Sequence, residues 1–204
     1  MHLAPIGDAP LVLAFHGTGG NERQFSGLVQ EAIPGAGLVA PRGDVSEHGA
    51  LRFFRRTAEG VYDMADLAER TAKMARFVAA HRDANPGRTV LALGYSNGAN
   101  ILASLLFQKP ELFDGTVLMH PLIPWEPGPQ PGLAGKAIFV TAGRADPICP
   151  WPGTERLLRY FEGQGAALEQ FVHPGGHEIR PDEGKAVIAA LGGMARSGHR
   201  TNAA

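Results

Sequence analysis

The sequence predicts an α/β fold: one parallel-rich sheet covered by helices on both faces. Three observations carry this. Short runs that are apolar throughout alternate with stretches of helical period. Strands without a polar face belong inside a sheet buried on both sides, the usual setting of parallel strands. And 204 residues, 44% of them hydrophobic, are enough for one full core.

The elements follow in order. Leu11–Phe15 is the first buried strand, ending at His16-Gly17, and Gly37–Ala40 the next, ending at Pro41-Arg42-Gly43. Met64, Leu67, Thr71, Met74, Ala75 and Val78 recur at three and four, so Tyr62–Arg82 reads as a helix, stopped by Asn85-Pro86-Gly87. Thr89–Leu93 is a strand. Asn97–Phe107 is a helix whose buried side is Ile101, Leu102, Leu105 and Leu106. Thr116–Met119 and Lys136–Thr141 are further strands, each followed by a Pro- or Gly-rich loop. Gly153–Gly163 reads as a helix, Ala167–Val172 as the last strand and Pro181–Leu191 as the last helix. No repeat or linker divides the chain. Residues 1–192 therefore form one domain, and 193–204, small and polar, a flexible tail.

Composition excludes several functions. With 19 basic against 20 acidic residues and a net charge of −1, nothing drives phosphate-backbone binding, and no nucleic-acid partner is expected. The single cysteine, Cys149, rules out a disulfide framework within the chain and argues against a cysteine zinc site. The N-terminal segment lacks a basic leader, and the Leu11–Phe15 run is too short for a signal peptide or a membrane span. A soluble cytoplasmic protein is the expectation.

The chemistry is concentrated in Gly94-Tyr95-Ser96-Asn97-Gly98, where an apolar strand runs into G-x-S-x-G and a helix follows at once. A serine on a sharp strand-to-helix turn holds its Oγ above the sheet, and the flanking glycines let strand and helix approach closely. The helix N-terminus offers unpaired N–H groups to a developing oxyanion. The alternative is a structural turn with an incidental serine. A nucleophilic serine needs a base, and the base an orienting acid, both on later loops at the carboxyl ends of strands. Asp146 follows Lys136–Thr141 at that edge, whereas Asp114 precedes its strand. His177 follows Gly175-Gly176 after the last strand and is preferred to His173, which reads as a strand-end residue. His173 and His177 as a metal pair would need a helix, which Pro174-Gly175-Gly176 opposes. The oxyanion donors expected are the N–H groups of Asn97 and of Thr18, in the loop His16-Gly17-Thr18-Gly19-Gly20. That loop lacks the GK[ST] of a phosphate cradle. His16 reads as structural.

With these residues in place, a resemblance emerges. HGTGGNE, GYSNG, AGRADPI and GGH, in this order, resemble the phospholipase/carboxylesterase group of α/β-hydrolases, which includes acyl-protein thioesterases. PRGDVSEHGALRFFRR, GVYD and LMHPLIP look closer still to bacterial carboxylesterases related to hydroquinone-response hydrolases. The likeness runs from about Leu11 to Leu191. It implies a compact, capless α/β-hydrolase with Ser96, Asp146 and His177 as triad, Thr18 and Asn97 at the oxyanion, and neither metal nor organic cofactor. Dienelactone hydrolases share the layout but carry Cys at the nucleophile position, so Ser96 argues against their chemistry. The chain starts close to its first buried strand, and the leading strands of larger hydrolases are expected to be missing.

The loops Pro41–Val61 and Pro121–Gly135 are the longest at the catalytic edge. Phe53, Phe54, Leu122, Ile123 and Trp125 are candidate pocket walls, with the core an equal alternative for Phe53 and Phe54. Arg55 and Arg56 face solvent or attract an anionic group, the former being preferred. Ile148, Cys149 and Trp151 would line the acyl side. Cys149 has no basic neighbour to activate it. His120 is read as supporting the site from behind. The expected activity is a serine carboxylesterase for small to medium acyl esters. Its alternatives are a thioesterase or lysophospholipase with the same triad, an acyltransferase, or a ligand-binding protein on a hydrolase scaffold. The partner expected is a small-molecule ester, with a homodimer left open.

Overall fold

The computed structural model describes residues 1–201, with side chains through 198. Its central sheet is built from β1 (His2–Leu3), β2 (Leu11–Phe15), β3 (Gly37–Val39), β8 (Val90–Tyr95), β9 (Gly115–Met119), β10 (Ala137–Gly143) and β11 (Ala167–His173). The spatial order is β1-β3-β2-β8-β9-β10-β11. All neighbours are parallel except β1, which pairs antiparallel with β3. The central strands are buried along their whole length, as their unbroken apolar sequences require. Alternate side chains then feed two cores. Leu11, Leu13 and Phe15 pack under α2 (Met64–Asp83), α3 (Asn97–Gln108) and α4 (Trp151–Gly163); Val12 and Ala14 pack under α1 (Ser26–Ala32) and α5 (Pro181–Thr201).

The register matters most for function. Phe15 pairs with Gly94, Tyr95 with Met119, Met119 with Thr141, and Gly143 with His173. The carboxyl ends of β2, β8, β9, β10 and β11 therefore open on one rim.

Several expectations change. A leading strand is present after all: β1, two residues long, at the sheet edge. Helix α1 is an addition, seven residues long, whose Val29 packs with Phe25 and Ile33 one turn to either side. Residues 41–61, read as a loop, contain β4 (Val45–Glu47) hairpinned to β5 (Ala50–Arg52), and β6 (Arg56–Ala58), which pairs with β7 (Val61–Tyr62). His48 and Gly49 both have positive φ (51° and 89°), the backbone of a tight two-residue hairpin turn. Helix α2 starts at Met64 because the Asp63 carboxylate caps it, accepting from Asp66 N–H at 3.0 Å.

The expected tail is corrected most. Helix α5 does not stop at Gly192 but runs to Thr201. Gly192 and Gly198 lie where the helix backbone meets Ala32 and Thr89, and a Cβ at Gly198 would fall 2.5 Å from Thr89 Oγ1. Close packing keeps these glycines helical against their propensity. The part of the tail expectation that covers 202–204 lies outside the described residues. No helix among the described residues is long and apolar enough to cross a membrane.

The tightest joint lies where α3 leaves the sheet. A Cβ at Gly98 would stand 2.2 Å from Phe15 O and 2.5 Å from His16 O, both backbone atoms of a buried strand end. Gly98→Ala is expected to destabilise the protein by about 3 kcal/mol or to prevent folding. Urea unfolding measures this, and an unchanged midpoint would contradict the packing described.

Candidate active site

Strand β8 ends at Tyr95 and α3 begins at Asn97, leaving Ser96 alone to make the turn. It does so with φ 52° and ψ −118°, a strained conformation for a residue with a Cβ. Ser96 N–H donates to Met119 O at 2.9 Å, which locks the turn to the neighbouring strand end. A serine at an N-cap normally bonds its own helix. Here the side chain caps nothing, and Oγ lies 2.9 Å from His177 Nε2.

The loops that carry Asp146 and His177 are laced together. Arg144 N–H donates to His173 O at 2.8 Å and Ala145 N–H to Gly175 O at 3.0 Å. Gly143 makes this possible, since a Cβ there would sit 2.0 Å from Gly176 O. Asp146 Oδ1 accepts the N–H groups of Ile148 (2.8 Å) and Cys149 (2.9 Å), which fixes the carboxylate plane. Its Oδ2 lies 2.7 Å from His177 Nδ1. Because Nδ1 faces a carboxylate, it carries the proton, and Nε2 is left to accept from Ser96 Oγ–H. Tyr95 holds the loop from the side: its hydroxyl donates to His177 O at 2.5 Å, and its ring lies 5.3 Å from the imidazole.

Burial pushes the Asp146 carboxyl up. Hydrogen bonds from His120, His177 and Cys149 N–H together outweigh that and hold it well below the usual carboxylate range. Burial drives the Cys149 thiol far above its ordinary value, and its Sγ–H donates to His120 O at 3.2 Å. Cys149 is thus a neutral, buried thiol.

Behind Asp146 lies a buried group that sequence reasoning only touched. His120 Nδ1 is 2.9 Å from Asp146 Oδ2, and its Nε2 is 3.1 Å from Glu183 Oε1. Glu183 Oε2 is 3.3 Å from His173 Nε2. Burial pulls the His120 imidazolium down, but the two carboxylates prevail and raise it to about 9. Three-ligand groupings of these side chains fall within reach of a metal ion. Gly175 N–H donates to His173 Nδ1 at 3.1 Å, so the ring proton of His173 sits on Nε2, which lies 3.3 Å from Glu183 Oε2 without the alignment of a hydrogen bond.

Ser96 and His177 open into a cavity of about 240 Å³ that Thr18, Asn97, Leu122 and Ile148 also line. In the loop after β2, Gly17 N–H donates to Gln24 Oε1, Gly19 N–H to Leu51 O and Gly20 N–H to Gly17 O. The Thr18 N–H bonds to nothing among the described residues. Asn97, as the first residue of α3, has no helical acceptor for its N–H. The β5 region sets both residues: Arg52 Nη1 donates to Thr18 Oγ1 at 2.9 Å, and Phe53 N–H to Asn97 Oδ1 at 2.7 Å. Arg52 was not foreseen. Nor were Tyr62 and Asn100, which also line the cavity and whose side chains fasten the loop at Leu122.

Other expectations are corrected. Phe53 and Phe54 are core residues, 3% and 0% exposed, packed on Phe15 and Tyr62 respectively. Trp125 lines a neighbouring cleft with Tyr160, outside the Ser96 cavity, and Ile123 is buried beside it. Trp151 lies under the Arg144 guanidinium, 3.7 Å from ring centroid to carbon, and is no acyl wall. Arg55 is exposed and paired with Asp63 and Asp66, whereas Arg56 pairs with Glu47 and Glu59 and edges the cavity. Asp114 binds Arg82 and Val90 N–H at the far rim. His16 is buried, with Nε2 accepting from Gly43 N–H at 2.9 Å. A larger groove of about 910 Å³ runs along β10, β11 and α5 and includes none of the expected catalytic residues.

Comparison with known proteins agrees with this architecture. The model of the "Dienelactone hydrolase family" matches residues 2–186. The "Putative hydrolase MhqD" of Bacillus subtilis (strain 168) is 42% identical over 176 residues, 85% of this chain and 88% of that protein. Among solved structures, Atu2452 of Agrobacterium tumefaciens str. C58, a protein of unknown function, is 49% identical at a TM-score of 0.88, with 95% of each chain covered. The carboxylesterase of Bacillus cereus is 35% identical at a TM-score of 0.87, covering 95% of this chain and 93% of its own. The chain therefore belongs to the dienelactone hydrolase family, as a carboxylesterase-like hydrolase with the α/β-hydrolase fold.

Proposed function

We propose that the protein is a serine carboxylesterase acting on small acyl esters, with Ser96, His177 and Asp146 as its triad. The observation that carries this reading is the pair of contacts at His177: 2.9 Å from Nε2 to Ser96 Oγ and 2.7 Å from Nδ1 to Asp146. In the reaction, Ser96 Oγ attacks the ester carbonyl while its proton passes to His177 Nε2. Asp146 stays ionised and stabilises the imidazolium. The N–H groups of Thr18 and Asn97 receive the oxyanion. The tetrahedral intermediate collapses, His177 returns the proton to the departing alcohol, and the acyl group remains on Ser96. A water then gives its proton to His177 and attacks the acyl-enzyme, releasing the acid and restoring Ser96.

The cavity supports a short acyl group. At about 240 Å³ it is smaller than a drug-sized pocket, and Arg52, Arg56, Glu59 and Asn100 stand among its walls beside Leu122 and Ile148.

Three outcomes test this. Ser96→Ala should lower p-nitrophenyl acetate turnover by about 10³-fold or more and abolish labelling by a fluorophosphonate probe. Turnover that survives the substitution removes the serine mechanism. Across a p-nitrophenyl ester series, kcat/KM should peak at two to four acyl carbons, about, and fall about tenfold or more by octanoate. A thioester of matched acyl length should be a poorer substrate than the oxyester; the reverse order would make the protein a thioesterase.

A further inference from the structure

We propose that His120 and Glu183 are positioning residues for this hydrolysis: His120 is held as a buried imidazolium between two carboxylates, and through it Glu183 fixes the Asp146 carboxylate that orients His177. The inference rests on the serine-hydrolase reading and extends the triad by two residues.

The proton inventory comes first. His120 is 0% exposed; its Nδ1 hydrogen-bonds Asp146 Oδ2 at 2.9 Å, and its Nε2 lies 3.1 Å from Glu183 Oε1 at ion-pair distance, without the alignment of a hydrogen bond. Ionised carboxylates only accept, so each nitrogen needs its own proton. Both carboxylates are surrounded by donors. Glu183 Oε1 accepts from Thr141 Oγ–H at 2.5 Å, and its Oε2 from Arg180 N–H at 3.2 Å and faces the protonated Nε2 of His173. Asp146 receives two backbone N–H groups as well as the two histidines. A neutral His120 would set a lone pair against a carboxylate in the interior, at a heavy desolvation cost.

The backbone points the same way. His120 has φ 48°, one of three non-glycine residues with positive φ among those described. His48 makes a hairpin turn; the other two are Ser96 and His120. Such strain costs on the order of 1–3 kcal/mol and persists where surrounding structure demands it. His120 N–H donates to Thr141 O at 2.9 Å, and Cys149 Sγ–H closes on its carbonyl. The kink aims the ring along the rim, between the loop after β10 and the first turn of α5.

Charge explains the use. With His177 neutral, Asp146, Glu183 and His120⁺ sum to one negative charge. When His177 takes the serine proton, the cluster becomes neutral. Asp146 Oδ2 serves both imidazoles, so His120⁺ keeps it ionised and tempers its pull on the His177 proton. The other groups facing His120 add no charge. Tyr95, with its ring 5.8 Å away, is pushed by burial up to about 12, the Cys149 thiol is neutral, and His173, at 5.4 Å, is the neutral tautomer. His177 itself lies 5.2 Å away.

The test combines ¹⁵N NMR of the histidine rings with kinetics on the full-length protein. At pH 8, both ring nitrogens of His120 should be protonated in the wild type. In His120→Gln, kcat for p-nitrophenyl acetate should fall about tenfold with KM within about twofold, and the acid limb of kcat/KM should move up by about half a pH unit. In Glu183→Gln, which keeps the volume, the His120 imidazolium should lose a proton at lower pH than in the wild type. Stability offers a check. His120 contributes fully below about pH 6.5, its unfolded value, and the contribution is lost as pH rises through about 9. The thermal midpoint should fall across that window in the wild type, and this decline should be absent in His120→Gln. A neutral His120 at pH 8, or an unchanged pH profile and kcat in His120→Gln, overturns the proposal even where Ser96→Ala is inactive. If His120→Gln fails to fold, the wild-type spectrum and Glu183→Gln decide. Turnover in Ser96→Ala would instead sink the serine mechanism and leave the buried imidazolium standing.

Discussion

The parallel register of β2, β8, β9, β10 and β11 brings five strand ends to one rim, and the candidate site is assembled from what emerges there. Ser96 comes from the end of β8, His120 from β9, Asp146 from β10, and His173 and His177 from β11. Thr18 stands after β2. These residues are scattered over more than half the chain. One slipped pairing would reverse the faces of a strand and carry its loop out of reach. Close backbone approach is the second half of this constraint. Gly98 lets α3 rest on the end of β2, and Gly143 lets the Asp146 and His177 loops cross.

Around that rim the molecule concentrates its buried charge. Asp146 and Glu183 are ionised in the interior, and the structure meets the cost with donors on every oxygen. Arg52, equally buried, is matched by Glu47 and by the carbonyl of Phe54. Its role is mechanical as much as electrostatic, since the same guanidinium grips Thr18 Oγ1. The hairpins of residues 45–62 are in this way part of the site's frame.

Much of this was readable before any coordinates. Leu11–Phe15, the strand leading into Ser96, and the helices beginning at Asn97 and Pro181 follow from apolar runs and period alone. Ser96, Asp146 and His177 could be singled out as candidates because each stands on the loop or turn that follows a strand end, one, three and four residues on, with glycine nearby. What escaped depended on contacts distant in sequence. Phe53 and Phe54 look alike as wall or core until Phe15 and Tyr62 are seen against them. Arg52 sits among three arginines, and nothing local marks it as the buried one. Glu183 reads as an ordinary acidic residue in the first turn of a helix, yet it faces inward to His120 and His173. The short strands of residues 45–62 carried weaker signals, His48-Gly49 being the clearest.

Helix α5 joins these observations. Its first turn supplies Glu183 to the buried charges, and its later turns lie against Thr89 at the opposite end of the sheet. The helix thus acts as a spar between the two rims. Gly198, against Thr89, and Glu183, beside His120, sit on one rigid element that spans the sheet from rim to rim. A helix that packs at both ends of a sheet ties the two ends together as one lever.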